Sequence, residues 1–92
     1  MYFVYILFST KDKLLYTGFT TDLRSRLKSH ADGFVKSTQH RRPLKLIYYE
    51  AYADELDARR REMYLKGGNG KSQLRIQLVE IFKQLQYRCY AL

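Results

Sequence analysis

The chain is poor in the features that hold a small fold together from outside its core. It has one cysteine, Cys89, so no intramolecular disulfide can form, and no CxxC or Cys/His cluster offers a zinc site. Its first residues, MYFVYILFS, are apolar but too short to span a bilayer. They also lack the basic start and small-residue cleavage site of a secretion signal, so they are expected to form a core strand. The expected compartment is the cytoplasm, with no membrane partner. Acidic residues are scarce, nine against 17 lysines and arginines, giving a net charge of +8. That surplus points to a polyanionic partner, most often nucleic acid. A merely solvated basic surface is the plainer alternative. There is no internal repeat or low-complexity tract.

What the chain does have is enough apolar residue, 46% of its 92, to close one small core. A single domain over 1–92 is expected, with a motif-bearing core at about 2–71 and a C-terminal helix and tail at 72–92. Tyr2–Phe8 reads as a strand covered on both faces, and Leu14–Phe19 as a second strand after the polar turn STKDK. A loop at Thr10–Lys13 would pair Ser9 with Leu14 and Leu7 with Tyr16, placing Tyr5 and Tyr16 diagonally on one sheet face. Gly18 suits a tight strand exit or a close backbone approach.

Thr20, Thr21 and Asp22 offer capping oxygens before a helix over about Asp22–Ala31. Its apolar stripe is Leu23, Leu27 and Ala31, with Arg26 and His30 just beside it and Arg24 turned toward solvent. Phe34–Pro43 reads as a basic loop, Leu44–Ala51 as a third strand, and Asp54 as the cap of a helix running to about Lys66. Gly67-Gly68-Asn69-Gly70 is expected to break the chain. Ser72–Gln86 follows as one helix with Leu74, Leu78, Ile81, Phe82 and Leu85 on one face. The order β-β-α-β-α-α describes an α+β fold, a small three-stranded, mainly antiparallel sheet flanked by helices. Tyr87–Leu92 is apolar; with the last helix it could form a homo-oligomer contact.

These elements carry a pattern. Phe3-Val4-Tyr5 lies on the first strand and Tyr16-Thr17-Gly18 on the second; Arg26 follows Tyr16 by ten residues and His30 follows Arg26 by four. Glu62 sits in the basic helix segment RRREMYLK. The pattern resembles the GIY-YIG nuclease family over about Tyr2–Lys71. It looks most like the small standalone bacterial members, themselves similar to the nuclease module of a bacterial excinuclease, a DNA-repair context. Two of three letters of the first motif and one of the second differ, although both tyrosines and Gly18 remain. Asn69 is the only asparagine after Glu62, where some members have one supporting the site.

The resemblance implies a metal-dependent endonuclease cutting DNA phosphodiesters. Tyr16 would be the general base toward water, Glu62 the metal-binding acid, and Tyr5 and His30 supporting groups. A phenol of pKa ~10 needs nearby positive charge to act as a base at neutral pH. Arg26 has the planar fork and permanent charge suited to phosphate oxygens. A lone Glu62 would hold Mg²⁺ or Mn²⁺ only with waters and phosphate oxygens completing the shell. Its plainer role is an i,i+4 ion pair with Lys66, worth about 0.3–0.5 kcal/mol. His30 could equally be a packing histidine, and Tyr16 a strand tyrosine packing its ring. Arg24, Lys36, His40, Arg41, Arg42, Arg59 and Lys71 are expected to contact phosphates, which positions nucleic acid without reading sequence. No base-reading module is present, so target choice would fall to nucleic-acid shape, an oligomer or a separate targeting protein. Two rivals stand beside the enzyme: a DNA- or RNA-binding module that does not cut, and an assembly protein whose charge is incidental.

Overall fold

A computed structural model describes residues 1–85. Strands β1 (Tyr2–Ser9) and β2 (Leu15–Thr20) lead into helix α1 (Leu23–Ala31); strand β3 (Leu44–Tyr52) leads into α2 (Glu55–Lys66), α3 (Gly68–Gln77) and α4 (Val79–Gln84). The sheet is antiparallel throughout, in the order β2-β1-β3. The expected α+β fold is therefore what is found, with β1 as the central strand.

The β1–β2 register is the one that the polar turn dictates. Leu7 faces Tyr16, Tyr5 faces Gly18, and the Ser9 amide donates to the Leu14 carbonyl at 3.0 Å. Val4 through Phe8 are all buried, as a strand covered on both faces requires. Alternation sends Val4 and Ile6 against Ala58, Leu65 and Leu74 of α2 and α3, and Phe8 against Phe82 of α4. Tyr5 points the other way, toward α1. The layer of α2 is fixed by an ion pair to the sheet: Arg61 Nε lies 2.9 Å from the Glu50 carboxylate, which also accepts from the Tyr48 and Tyr52 hydroxyls.

Three expectations need correction. The glycine segment breaks the chain at Gly67 alone, which is extended; α3 begins at Gly68, so Gly68, Asn69 and Gly70 are helical. A Cβ at Gly70 would lie 2.1 Å from the Tyr64 carbonyl oxygen and 2.6 Å from Leu65 Cα. The glycine thus lets α3 lie directly on the last turn of α2. The expected helix over 72–86 is two, parted at Leu78, whose φ of −111° and ψ of 32° lie outside the helical range. Finally, α1 is turned on its axis. Its cap is as expected, with Asp22 accepting the Ser25 amide, but Ala31 is exposed while His30 is buried. Leu23, Arg26, Leu27 and His30 make the inward face. Gln86, the tail Tyr87–Leu92 and Cys89, with any contact between copies they make, lie outside the described residues.

Candidate active site

Tyr5, Tyr16 and His30 meet beneath α1. The Tyr5 and Tyr16 ring centroids are 6.4 Å apart, and the His30 ring lies 5.6 Å from the first and 5.3 Å from the second. The register puts both tyrosines on the α1 face of the sheet, and the rotation of α1 brings His30 down to them. Gly18 makes room: a Cβ there would be 2.3 Å from both Cζ and the hydroxyl oxygen of Tyr5. Close approach to Tyr5 is therefore the reason for glycine in Tyr16-Thr17-Gly18.

Tyr5 and His30 are wired in one direction, through to Thr38. The Tyr5 hydroxyl lies 2.7 Å from His30 Nε2, and His30 Nδ1 lies 2.8 Å from the Thr38 hydroxyl. Thr38 in turn donates to the Val35 carbonyl at 3.5 Å. Burial, then the charge of Arg26, pushes the His30 pKa down to about 4, so the ring is neutral at pH 7. The Tyr5 oxygen already accepts from Arg26, so its proton is directed to His30 Nε2; the neutral ring is then assigned its own proton on Nδ1, toward the Thr38 hydroxyl. Burial raises the Tyr5 pKa; Tyr16 and Glu62 push the same way and Arg26 against them. Tyr5 keeps its proton, which suits a positioning group. Tyr16 is only partly buried, its hydroxyl 3.5 Å from the Ser37 hydroxyl.

Arg26 faces both phenols. Hydrogen bonding to Tyr5 raises its pKa first, with the charges of Tyr5 and Tyr16 adding. Its Nε is nevertheless buried with no hydrogen-bond partner among the described residues. An orphaned guanidinium donor beside two hydroxyls calls for an acceptor, and an anionic oxygen is the strongest kind.

Glu62 stands on α2, which packs against β2. Its side chain is 12% exposed and bridges Lys66 at 3.0 Å and Arg59 at 3.6 Å. The pair with Lys66 is the plainer role that the spacing allowed. Glu62 is also close enough for its charge to act on Tyr5, and Lys66 lines a recess of about 210 Å³ with Leu15, Tyr16, Thr17 and Lys71. Among the described residues, no three His, Cys, Asp or Glu side chains stand together as metal ligands. The donor set therefore fits a cation held by one carboxylate with water and phosphate oxygens, and does not fit a cage built from protein alone.

The basic residues divide. Arg41 pairs with Asp12 at 2.6 Å and donates to the Leu15 carbonyl; Arg42 donates to the carbonyls of Gln39 and Ala31, over Gly33 at the end of α1. Both are tied into the fold through these bonds. Arg59 stacks on Phe19, its Cζ 3.6 Å from the ring centroid, and bridges Glu55 and Glu62. The exposed His40 side chain contacts Gln39. Arg24, Lys36 and Lys71 are exposed, without an ion pair among the described residues. Thr38 was missed by sequence reasoning. A buried threonine inside a basic loop carries no periodic signal, and only its position against His30 reveals it.

Residues 1–75 match the family model of the GIY-YIG catalytic domain. A UPF0213 protein of Clostridium perfringens is 45% identical over 67 residues, 72% of this chain and 71% of that protein. One from Staphylococcus haemolyticus is 37% identical over 76 residues, 82% of this chain and 92% of that protein. The solution NMR structure of a UPF0213 protein from Bacillus halodurans is 40% identical, covers 80% of this chain and 82% of its own, and aligns with a TM-score of 0.51.

Proposed function

The chain belongs to the GIY-YIG family, and from that premise we propose that it is an endonuclease that hydrolyses DNA phosphodiester bonds with a divalent cation. The observation that carries this reading is the Arg26 Nε, buried and unpartnered beside the Tyr5 and Tyr16 hydroxyls. A phosphodiester oxygen is the acceptor suited to this guanidinium; because the Nε is closed to solvent, binding would require the Arg26 side chain to shift toward the substrate, which would bring the phosphorus against Tyr16.

Hydrolysis needs an activated water, stabilised phosphoryl charge and a supported leaving oxygen. Tyr16 acts as its phenolate: its own proton has first passed to solvent, with the fixed charge of Arg26 favouring the anion. It then takes the proton from the attacking water while the leaving oxygen is protonated from solvent. Arg26 holds the phosphate through its fork and keeps its charge throughout turnover. Tyr5 and neutral His30 hold the geometry, because their hydrogens are committed to each other and to Thr38. Mg²⁺ or Mn²⁺ would be held by Glu62 and would supply Lewis-acid stabilisation of the phosphoryl oxygens. Lys66 and Arg59, which now neutralise Glu62, would turn to the substrate phosphates.

Nicking of supercoiled, single-stranded and branched DNA with Mg²⁺ or Mn²⁺ tests this. Cutting is expected, and Tyr16→Phe, Arg26→Ala and Glu62→Gln are each expected to slow it severely with the fold intact. The two cations already paired with Glu62 favour one other reading, a module that binds DNA without cutting. Salt-sensitive binding with no cleavage under either metal would establish that instead.

A further inference from the structure

Two recesses open side by side along β2 and α3. The one at Tyr16 is lined by Leu15, Thr17, Lys66 and Lys71; the other, of about 260 Å³, by Leu14, Leu15, Arg41, Lys71 and Arg75. Leu15 and Lys71 belong to both, so they form one trough that starts at Tyr16 and ends at Arg75. Among the described residues, no acidic residue lines either part. Lys71 and Arg75 stand one turn apart on α3, whose sequence GNGKSQLRIQ contains no acid, and neither has an ion pair among the described residues. Like charges at this spacing repel, so the helix carries an uncompensated pair facing a recess. Arg41 is different. Its bonds to Asp12 and the Leu15 carbonyl fix its guanidinium against the trough wall. Leu14, 50% exposed, adds an apolar wall between these cations.

We propose that the trough is the binding track for the DNA strand flanking the bond to be cut. One phosphate would sit between Lys66 and Lys71 and the next among Lys71, Arg75 and Arg41, with Leu14 and Leu15 against the sugars. The inference rests on the reading of Tyr16 and Arg26 as the phosphodiester site. Contacts of this kind fix register without reading bases, so the track sets how much strand is required beyond the cut, and not which sequence. Among these residues, Lys66 and Arg75 had no assigned contact from sequence.

The test is fluorescence anisotropy of a labelled single-stranded DNA oligonucleotide at several salt concentrations, with EDTA, in a Tyr16→Phe background so that cutting plays no part. Lys71→Gln with Arg75→Gln is expected to flatten the slope of log K against log salt by about 0.7 for each lost contact. Lys71→Arg with Arg75→Lys is expected to restore it, and Lys83→Gln on α4 to leave it unchanged. An unaltered slope in the double Gln variant overturns the track, as does an equal loss in Lys83→Gln. If wild-type protein fails to nick DNA with either metal while these slopes behave as expected, the cutting reading fails and the track stands.

Discussion

The Tyr5 phenol occupies the space that a side chain at position 18 would need. A Cβ on Gly18 would come within 2.3 Å of its hydroxyl oxygen, and the ring cannot swing aside because it is fully buried and bonded to His30. Gly18→Ala is expected to destabilise the fold by about 1–3 kcal/mol, the range for overpacking a core. Urea unfolding measures this, and loss of nicking at temperatures where the variant is still folded would report the displaced Tyr5.

Thr38 is expected to act through His30. Thr38→Val removes the acceptor for the His30 Nδ1–H while keeping the side-chain shape, leaving a buried donor unpaired at about 1–3 kcal/mol. Nitrogen NMR of the imidazole should show the proton moving from Nδ1 or exchanging between the two nitrogens, and Thr38→Ser should restore the wild-type spectrum.

The buried histidine makes stability depend on pH. Its pKa is about 4 when folded against 6.5 for the free side chain, so between these values the unfolded chain binds more protons. The contribution is complete above about pH 6.5 and is lost as pH falls toward 4, on the order of 3 kcal/mol in all. In chemical denaturation, this part of the pH dependence should be missing from His30→Gln.

Arg26 should separate activity from stability. Removing a charge that stabilises the transition state is expected to slow cutting by roughly 10²–10³-fold in Arg26→Ala. The same change removes a buried orphan donor together with the bond to Tyr5 and the packing under α1, so the midpoint of urea unfolding should change far less than the rate of cutting. Arg26→Lys should recover little activity, because an ammonium cannot reproduce the fork.

The Glu50–Arg61 pair should affect only the fold. Arg61→Met leaves a partly buried carboxylate facing two tyrosines and is expected to destabilise by about 3 kcal/mol. Replacing both partners with apolar residues should recover most of that. Nicking by each folded variant should remain near wild type.

The sequence revealed most where a local rule controlled the outcome. The turn from Thr10 to Lys13 has no apolar residue, so the hairpin could close in one register, and alternation then set Tyr5 and Tyr16 on one face. The inward face of α1 was hidden because His30 and Arg26 rank as polar. His30 becomes a core residue only through Tyr5 on a strand and Thr38 in a loop, partners that hydropathy does not count. Glycine propensity misled in the same way: Gly70 serves the packing of α3 on α2, a requirement invisible within one helix. Charge counting also cannot separate Lys71, open to a ligand, from Arg42, which is bound to backbone carbonyls. Helix spacing pointed to the pair of Glu62 with Lys66, and the same rule at i,i+3 accounts for Arg59 as its second cation.

The place of Tyr5 on β1 has a mechanical consequence. β1 is paired on both sides and covered on both faces, so its amides should exchange with solvent only when the whole domain opens. The backbone beneath the site then has no partial opening of its own by which to reshape itself around a substrate. Adjustment to differently bent or branched strands would fall to the long side chains at the rim, above all Lys66, Lys71 and Arg75. Heat inactivation should coincide with global melting, with no earlier, local loss of the centre.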